Sequence, residues 1–130
     1  MMRSKAELER LATGLVDAMY TVHVALGPGL MESAYQACLV HELCARGWGV
    51  KCQVALPVRY AGLEIDVGYR VDLLLEEEII VENKAVQAIA PIHEAQLLTY
   101  LKLSGLRLGF LVNWNVSRIK DGIRRMVNRL

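Results

Sequence analysis

The sequence predicts a single α/β domain over residues 1–130, in which two helices precede a mixed β-sheet. Apolar residues recur every three or four positions from Leu8 to Leu26, which is the period of an amphipathic helix. Short aliphatic runs bounded by turn residues occupy positions 50–81 and are typical of strands. A second helical pattern then precedes an apolar run at 107–113. With 130 residues, 54% of them hydrophobic, the chain is large enough to bury a core.

The N-terminal half begins with two predicted helices. Ser4 is followed three residues later by Glu7, which is the spacing of a capping box. The apolar period then continues for about six turns, until Gly27-Pro28-Gly29 ends the helix. A second helix is predicted from Met31 to Arg46, and Gly47 ends this helix.

The strand region is predicted to form an antiparallel meander, because its connections are short. Its four segments are 54–60, 63–67, 71–75 and 79–81. Pro57, in the first segment, indicates an edge position or a bulge, since proline cannot donate to the ladder.

The C-terminal part continues with a crossover helix and a further strand. Pro91 is suited to the first turn of a helix, which is predicted from about Ile92 to Leu103. The run from Arg107 to Asn113 is apolar enough to be an internal strand. Five basic side chains and a single acid lie between Arg118 and Leu130.

The segment from Tyr69 to Ala85 is predicted to be a hairpin that brings two carboxylates together. A turn centred on Glu77 places Asp72 opposite Glu82 and Arg70 opposite Lys84. Opposed like charges destabilise a sheet, and a shared divalent cation such as Mg²⁺ would remove that cost. Glu82 and Lys84 are two residues apart, so they share a face of the strand. The alternative is that both acids are surface charges balanced by Arg70 and Lys84.

Such an arrangement suits the chemistry of phosphate esters. A cation held by two carboxylates polarises a phosphoryl oxygen and lowers the pKa of a bound water, and Lys84 could orient or deprotonate that water. On the following helix, His93, Gln96 and Tyr100 lie near one stripe, where they could bond to the water or to a phosphate. The alternative is a polar helix margin, which we favour for His93.

Composition limits the function classes. The formal net charge is +1, so a nucleic-acid partner would have to be bound by local positive charge. Arg124 and Arg125 are candidate phosphate contacts, and the alternative is that they lie on a solvated helix face. The sequence has no apolar run long enough to span a membrane and no secretory signal. Three cysteines without paired spacing indicate a reduced, cytoplasmic protein.

Several blocks of the sequence resemble one known family. The stretch from Gly27 to Tyr35 resembles the G-x-x-E-x-x-Y signature of the GxxExxY family, whose fold is that of the PD-(D/E)xK nuclease superfamily. The match covers nearly the whole chain after the first dozen residues. Its further blocks are Y-R-V-D-L-L-L, V-E-N-K-A-V, H-E-A-Q-L-L-T-Y-L-K-L-S-G, L-G-F-L-V-N-W-N and D-G-I-R-R-M-V-N.

The resemblance implies a restriction-endonuclease-like core and hydrolysis of phosphodiester bonds in DNA or RNA with Mg²⁺ or Mn²⁺. It implies that Asp72 and Glu82 ligate the metal, with the Asn83 carbonyl as a possible extra ligand. Glu32 would complete the coordination directly or through water, and Lys84 would be the catalytic lysine.

The resemblance also assigns the residues of the following helix. Gln96 and Tyr100 match the Q-x-x-x-Y motif of the RecB-like nucleases. Asn83 departs from the family pattern, which usually has an apolar residue there. Strand alternation turns Asn83 away from the site, where an unpartnered buried amide would cost about 1–3 kcal/mol.

A rival hypothesis is a non-catalytic module that keeps the fold and binds nucleic acid or protein. The near-neutral charge supports it, and so does the lack of a separate DNA-reading domain. A nuclease of this size would gain specificity by pairing with itself or with a partner. Its apolar composition is compatible with a homodimer.

Overall fold

The computed structural model describes residues 2–130. Its helices are α1 (Lys5–Leu26), α2 (Glu32–Ala45) and α3 (Pro91–Ser104), with a short 3-10 helix at Ile119–Asp121. Its strands are β1 (Val50–Ala55), β2 (Val58–Tyr60), β3 (Leu63–Ile65), β4 (Arg70–Leu75), β5 (Ile79–Lys84), β6 (Leu108–Asn113) and β7 (Ile123–Val127). No helix within residues 2–130 has both the length and the apolar character that crossing a bilayer requires.

The start of α1 confirms the predicted capping box. The Ser4 hydroxyl accepts a hydrogen bond from the Glu7 amide at 3.1 Å, and the Glu7 carboxylate accepts one from the Ser4 amide at 2.9 Å. These bonds satisfy two of the donors that a helix leaves unpaired at its N-terminus. The second helix and the crossover helix also lie within one residue of their predicted bounds.

One five-stranded sheet forms the centre, in the order β1-β4-β5-β6-β7. Its pairs are antiparallel except β5 with β6, which run parallel because α3 carries the chain across between them. The sheet is therefore mixed, as predicted. All six residues of β6 are buried, which confirms that this strand is internal.

The predicted order of pairing within the meander is wrong at its start. The first strand pairs with β4, whereas β2 and β3 pair only with each other as a separate ribbon. The predicted segment 54–60 divides at Pro57, since β1 ends at Ala55 and β2 begins at Val58. Proline lacks the N–H that would continue the ladder, so the chain leaves the sheet there. Pro57 itself belongs to no strand, so the predicted edge position or bulge is replaced by a break between β1 and β2.

Helices cover both faces of the sheet. The larger apolar cluster lies between α1, α2 and one face, and Trp114 and Tyr35 are among its fully buried members. The smaller cluster lies under α3 on the opposite face. There Gly109 lets α3 pack closely against the sheet, because a Cβ at this position would lie only 3.0 Å from the Leu97 side chain.

The hairpin turn between β4 and β5 is held by ion pairs to distant residues. Arg3 bonds Glu76 at 2.7 Å and Glu78 at 2.5 Å, and Arg107 lies 3.4 Å from Glu78. The pKa of Glu76 is lowered by the Gly49 amide and then by Arg3. Burial alone would raise the pKa of Glu78, but its bonds to Arg3 bring it below the ordinary value.

We predict that Arg3→Met lowers the free energy of unfolding by about 1–2 kcal/mol at pH 7, since two partly buried carboxylates lose their partner. The pKa values of Glu76 and Glu78 are lower in the folded protein than the ordinary value of 4.5. The stabilisation by Arg3 is therefore complete above pH 4.5 and is lost as the pH falls through these lowered pKa values. Urea unfolding from pH 7 to pH 3 should therefore show the wild type and the variant converging. Arg10→Met, at an exposed position on α1, is the control. A deficit that is equally large at pH 3 would contradict this account.

Candidate active site

The hairpin has the register that the sequence predicted. Three backbone pairs set it, and they are Leu73–Val81, Leu74–Ile80 and Leu75–Ile79. Continued by one residue, this register places Asp72 opposite Glu82. Side chains replace the backbone ladder at that point: the Asn83 amide donates to the Asp72 carboxylate at 2.8 Å, and the Asp72 amide donates to the Glu82 carboxylate at 3.3 Å.

The two carboxylates form a strongly coupled pair. Glu82 is only 7% exposed. Burial, and then the hydrogen bond and charge of Asp72, raise the pKa of Glu82 to about 9, while the charge of Lys84 opposes the rise. Without a cation, Glu82 therefore keeps its proton at neutral pH. A divalent cation is the other way to neutralise two adjacent carboxylates, and carboxylate oxygens are the donors that Mg²⁺ and Mn²⁺ prefer.

Glu32 lies across a cavity from this pair. It is the first residue of α2, and its carboxylate accepts a hydrogen bond from the Ala85 amide at 3.2 Å. Together with Asp72 it lines a cavity of about 540 Å³. Glu32 is therefore tied to the end of β5, directly after the strand that carries Glu82 and Lys84.

The predicted three-carboxylate metal set is not assembled. Within residues 2–130, no three His, Cys, Asp or Glu side chains are close enough to hold one ion. Asp72 and Glu82 are adjacent, whereas Glu32 is bonded to the backbone of Ala85. The donor chemistry of Asp72 and Glu82 fits a cation that keeps several waters. Coordination by Glu32, directly or through water, stays a prediction.

Tyr35 explains how the G-x-x-E-x-x-Y motif places Glu32. The Tyr35 hydroxyl donates to the Gly27 carbonyl at 2.6 Å and accepts from the Leu30 amide at 3.1 Å, which closes the loop before α2. Its ring stacks on Trp114, with centroids 5.0 Å apart and planes 4° apart. The loop that delivers Glu32 is thereby anchored in the core.

The buried side chain of Asn83 has a hydrogen-bond partner for its oxygen but none within the described residues for its nitrogen. It is 1% exposed, and its side-chain oxygen accepts from the indole N–H of Trp114 at 2.9 Å. Its amide nitrogen has no hydrogen-bond partner within the described chain. The predicted orientation away from the site is correct, and the bond to Trp114 holds the backbone between Glu82 and Lys84.

Gln96 and Tyr100 line a second cavity, of about 590 Å³. Burial, and then the charge of Glu82, raise the pKa of the Tyr100 hydroxyl, so this group lies within electrostatic reach of the carboxylate pair. His93 has a structural role, because its Nδ1 accepts from the Ala90 amide at 3.0 Å and caps α3. Of the predicted catalytic residues, Glu32 and Asp72 thus line the first cavity and Gln96 and Tyr100 line the second. Their catalytic roles stay predictions.

Gln53 is a site residue that the sequence did not indicate. The pairs Cys52–Leu73 and Val54–Val71 on either side place it opposite Asp72, and it lines the cavity with Glu32 and Asp72. Its φ of 51° is left-handed, which costs a residue other than glycine about 1–2 kcal/mol. An ordinary strand pattern gives no sign of this distortion. Strained backbone of this kind is frequent at functional sites.

The two arginines proposed as phosphate contacts do not form one patch. They lie on β7, so the helix alternative is wrong; the segment is extended because Phe110 and Leu111 of β6 pair with it. Neighbouring strand residues point to opposite faces. Arg124 accordingly lies 3.5 Å from Glu94 of α3, and Arg125 lies 2.5 Å from Glu9 of α1. A phosphate contact by either arginine stays a prediction.

Comparison with known proteins gives one match. Residues 9–126 match the family model described as the PD-(D/E)XK nuclease superfamily. The match and the mixed five-stranded sheet agree with the restriction-endonuclease-like fold that the sequence predicted. No curated protein and no solved structure matches the chain.

We predict that Glu82→Gln stabilises the metal-free protein by at least about 1 kcal/mol at pH 8. Below pH 4.5 Glu82 is protonated in both the folded and the unfolded state, so it does not lower the stability of the wild type. Between pH 4.5 and about 9 Glu82 is ionised only in the unfolded state, so the free energy of unfolding of the wild type falls as the pH rises. Glutamine resembles the protonated acid and avoids this loss.

Thermal unfolding in EDTA at pH 4, 6 and 8 measures this difference. The gap between Glu82→Gln and the wild type should widen as the pH rises. Glu64→Gln, at an exposed position on β3, is the matched control and should show no such trend. A Glu82→Gln variant that is less stable than the wild type at pH 8 would refute the retention of a proton on Glu82.

Proposed function

Since this chain belongs to the PD-(D/E)XK nuclease superfamily, we propose that it is a divalent-metal-dependent nuclease that hydrolyses phosphodiester bonds in DNA or RNA. The observation that carries this proposal is the adjacency of Asp72 and Glu82, with Lys84 on the same face of β5. A structural surface pair would not need one member to be buried, because exposed charges avoid the cost of desolvation.

Asp72 and Glu82 are the residues that would hold Mg²⁺ or Mn²⁺. When bound, the ion would supply Lewis-acid stabilisation of the phosphoryl group and lower the pKa of a coordinated water. Glu32, across the first cavity, would position a further water through its free carboxylate oxygen.

Lys84 would act on the nucleophile or on the developing negative charge. It is half-buried beside Glu82, and no ion pair to it occurs among residues 2–130. An ammonium without a fixed partner is available to a phosphate. The Tyr100 hydroxyl and the Gln96 amide would donate to the phosphate from the α3 side.

Finer assignments are part of the same proposal. The anchoring role of Tyr35 supports membership in the GxxExxY family. Three free, exposed cysteines support a reducing, cytoplasmic location. Exposed apolar side chains of β3, at Leu63 and Ile65, and of Val67 just after it are compatible with a homodimer.

A second candidate is a module that keeps the fold without catalysis. It is favoured by the bonds that both carboxylates make to backbone amides and by the missing three-ligand group within residues 2–130. Cation binding separates the two candidates, because a pure interaction module has no need of a cation at Asp72 and Glu82.

We predict that Mn²⁺ binds the wild type in calorimetry, more tightly as the pH rises from 6 to 8, since Glu82 must release its proton. Asp72→Ala should abolish the binding and, with Mg²⁺ or Mn²⁺, all cleavage of DNA and RNA test substrates. Wild-type protein that binds no Mn²⁺ and cleaves none of these substrates would favour the non-catalytic module.

We predict separately that Lys84→Met keeps Mn²⁺ binding and lowers the cleavage rate by about 10²–10⁴-fold, because the lysine acts on the reaction and does not ligate the metal. Lys5→Met, at an exposed position in the first turn of α1, is the matched control and should cleave at the wild-type rate. Cleavage by Lys84→Met at the wild-type rate would remove the lysine from the mechanism.

A further inference from the structure

The second cavity has the character of a site for a flat, uncharged ligand. It lies between α3, the short strand β2 and Tyr69, and it encloses about 590 Å³, which is within the range of small-molecule sites. Its apolar walls include Val58, Ile92 and Leu103. Two aromatic rings stand together on it: Tyr69 and Tyr100 have centroids 6.1 Å apart and planes inclined by 52°.

We propose that this cavity holds an unpaired nucleobase next to the scissile phosphodiester, and that the preferred substrate is single-stranded nucleic acid. This inference rests on the proposed nuclease function and specifies its substrate class. The cavity binds the base, whereas the carboxylate pair acts on the neighbouring phosphate.

The lining offers a phosphate inside the cavity no charged partner, which favours an uncharged occupant, while Tyr100 and Gln96 at its edge can still donate to the neighbouring phosphate. Among the described residues that line the cavity there is no lysine, arginine, aspartate or glutamate. Its polar side chains are mainly neutral hydrogen-bonding groups, of which Gln96 and Thr99 can both donate and accept. The His93 Nδ1 is already bonded to the Ala90 amide. Aromatic faces with a few neutral polar groups are what proteins use to stack and hold single-stranded bases.

Position ties the cavity to the site. Tyr100 lines the cavity, and it belongs to the buried cluster under α3 together with Val71 and Ile80. Val71 directly precedes Asp72, and Ile80 shares a face of β5 with Glu82. A base stacked there would place its own backbone beside the carboxylate pair. In a duplex the base would first have to leave the stack, which costs a few kcal/mol, whereas a base in a single strand avoids that cost.

The mouth of the cavity is apolar and open. Tyr69 is 45% exposed and Ile92 is 70% exposed. Large apolar side chains that are exposed together mark a binding surface. A base stacked on Tyr69 would cover both side chains, and the cavity behind them would receive its edge.

The test measures binding of fluorescent single-stranded DNA and RNA oligonucleotides by anisotropy in EDTA, so that no turnover occurs. Tyr69→Ala should weaken single-strand binding by about 5- to 150-fold, as expected for the loss of one stacked base. Tyr69→Phe should stay within about threefold of the wild type, because it keeps the ring. The dependence of affinity on salt should be unchanged in both variants, because no phosphate contact is lost.

Two further variants show whether weaker binding comes from loss of the cavity contact or from loss of folding. Ile92→Asp changes an exposed side chain at the mouth and should also weaken single-strand binding. Tyr60→Ala is the matched control: it removes a tyrosine that is 72% exposed on β2 and does not line the cavity, so binding should not change. Equal effects of Tyr69→Ala and Tyr60→Ala would overturn the proposal, and so would wild-type affinity that is no higher for single strands than for a duplex.

The two proposals fail in distinguishable ways. If Asp72→Ala retains cleavage, the proposed catalytic site is wrong, and the binding results still decide the cavity. If Asp72→Ala loses cleavage but Tyr69→Ala binds single strands as tightly as the wild type, the nuclease function stands and the base site is refuted. A second copy of the chain on this surface would instead appear as a dimer that Ile92→Asp dissociates, which would also refute the base site.

Discussion

Repulsion between two carboxylates at one position of the hairpin register is the constraint on which the site depends. The surrounding structure lowers its cost in two ways: two backbone amides donate to Asp72 and Glu82, and Glu82 retains a proton. Register is essential, because a slip by one residue would turn every side chain of β5 to the other face. Arg3 holds the turn that fixes this register through Glu76 and Glu78.

Features determined by neighbouring residues could be predicted from the sequence. The capping box, the three helices, the hairpin register and the buried strand β6 depend on short-range patterns, and the structure confirms them. The pairing of β1 with β4 and the left-handed φ of Gln53 could not be predicted, because they depend on tertiary packing. The same is true of the position of Glu32, whose carboxylate bonds an amide 53 residues away in the sequence.

Asn83 shows how a local departure is accommodated by distant residues. The sequence indicated that this polar side chain faces the core, but its partner, Trp114, lies 31 residues further along. Trp114 also stacks on Tyr35, which closes the loop that carries Glu32. The G-x-x-E-x-x-Y motif and the E-x-K strand are thus joined through one indole ring, so a change at Trp114 would disturb both sides of the site.

The near-neutral charge of the chain bears on how it would hold nucleic acid. Most nucleic-acid affinity arises when phosphates are neutralised by Lys and Arg, yet this chain has a net charge of +1. Arg124 and Arg125 are paired to acids on opposite faces of the sheet and leave little free positive charge there. Affinity would then have to come from contacts with bases. An apolar cavity with two tyrosine rings would supply such contacts, and only an unpaired strand exposes the base faces that they require.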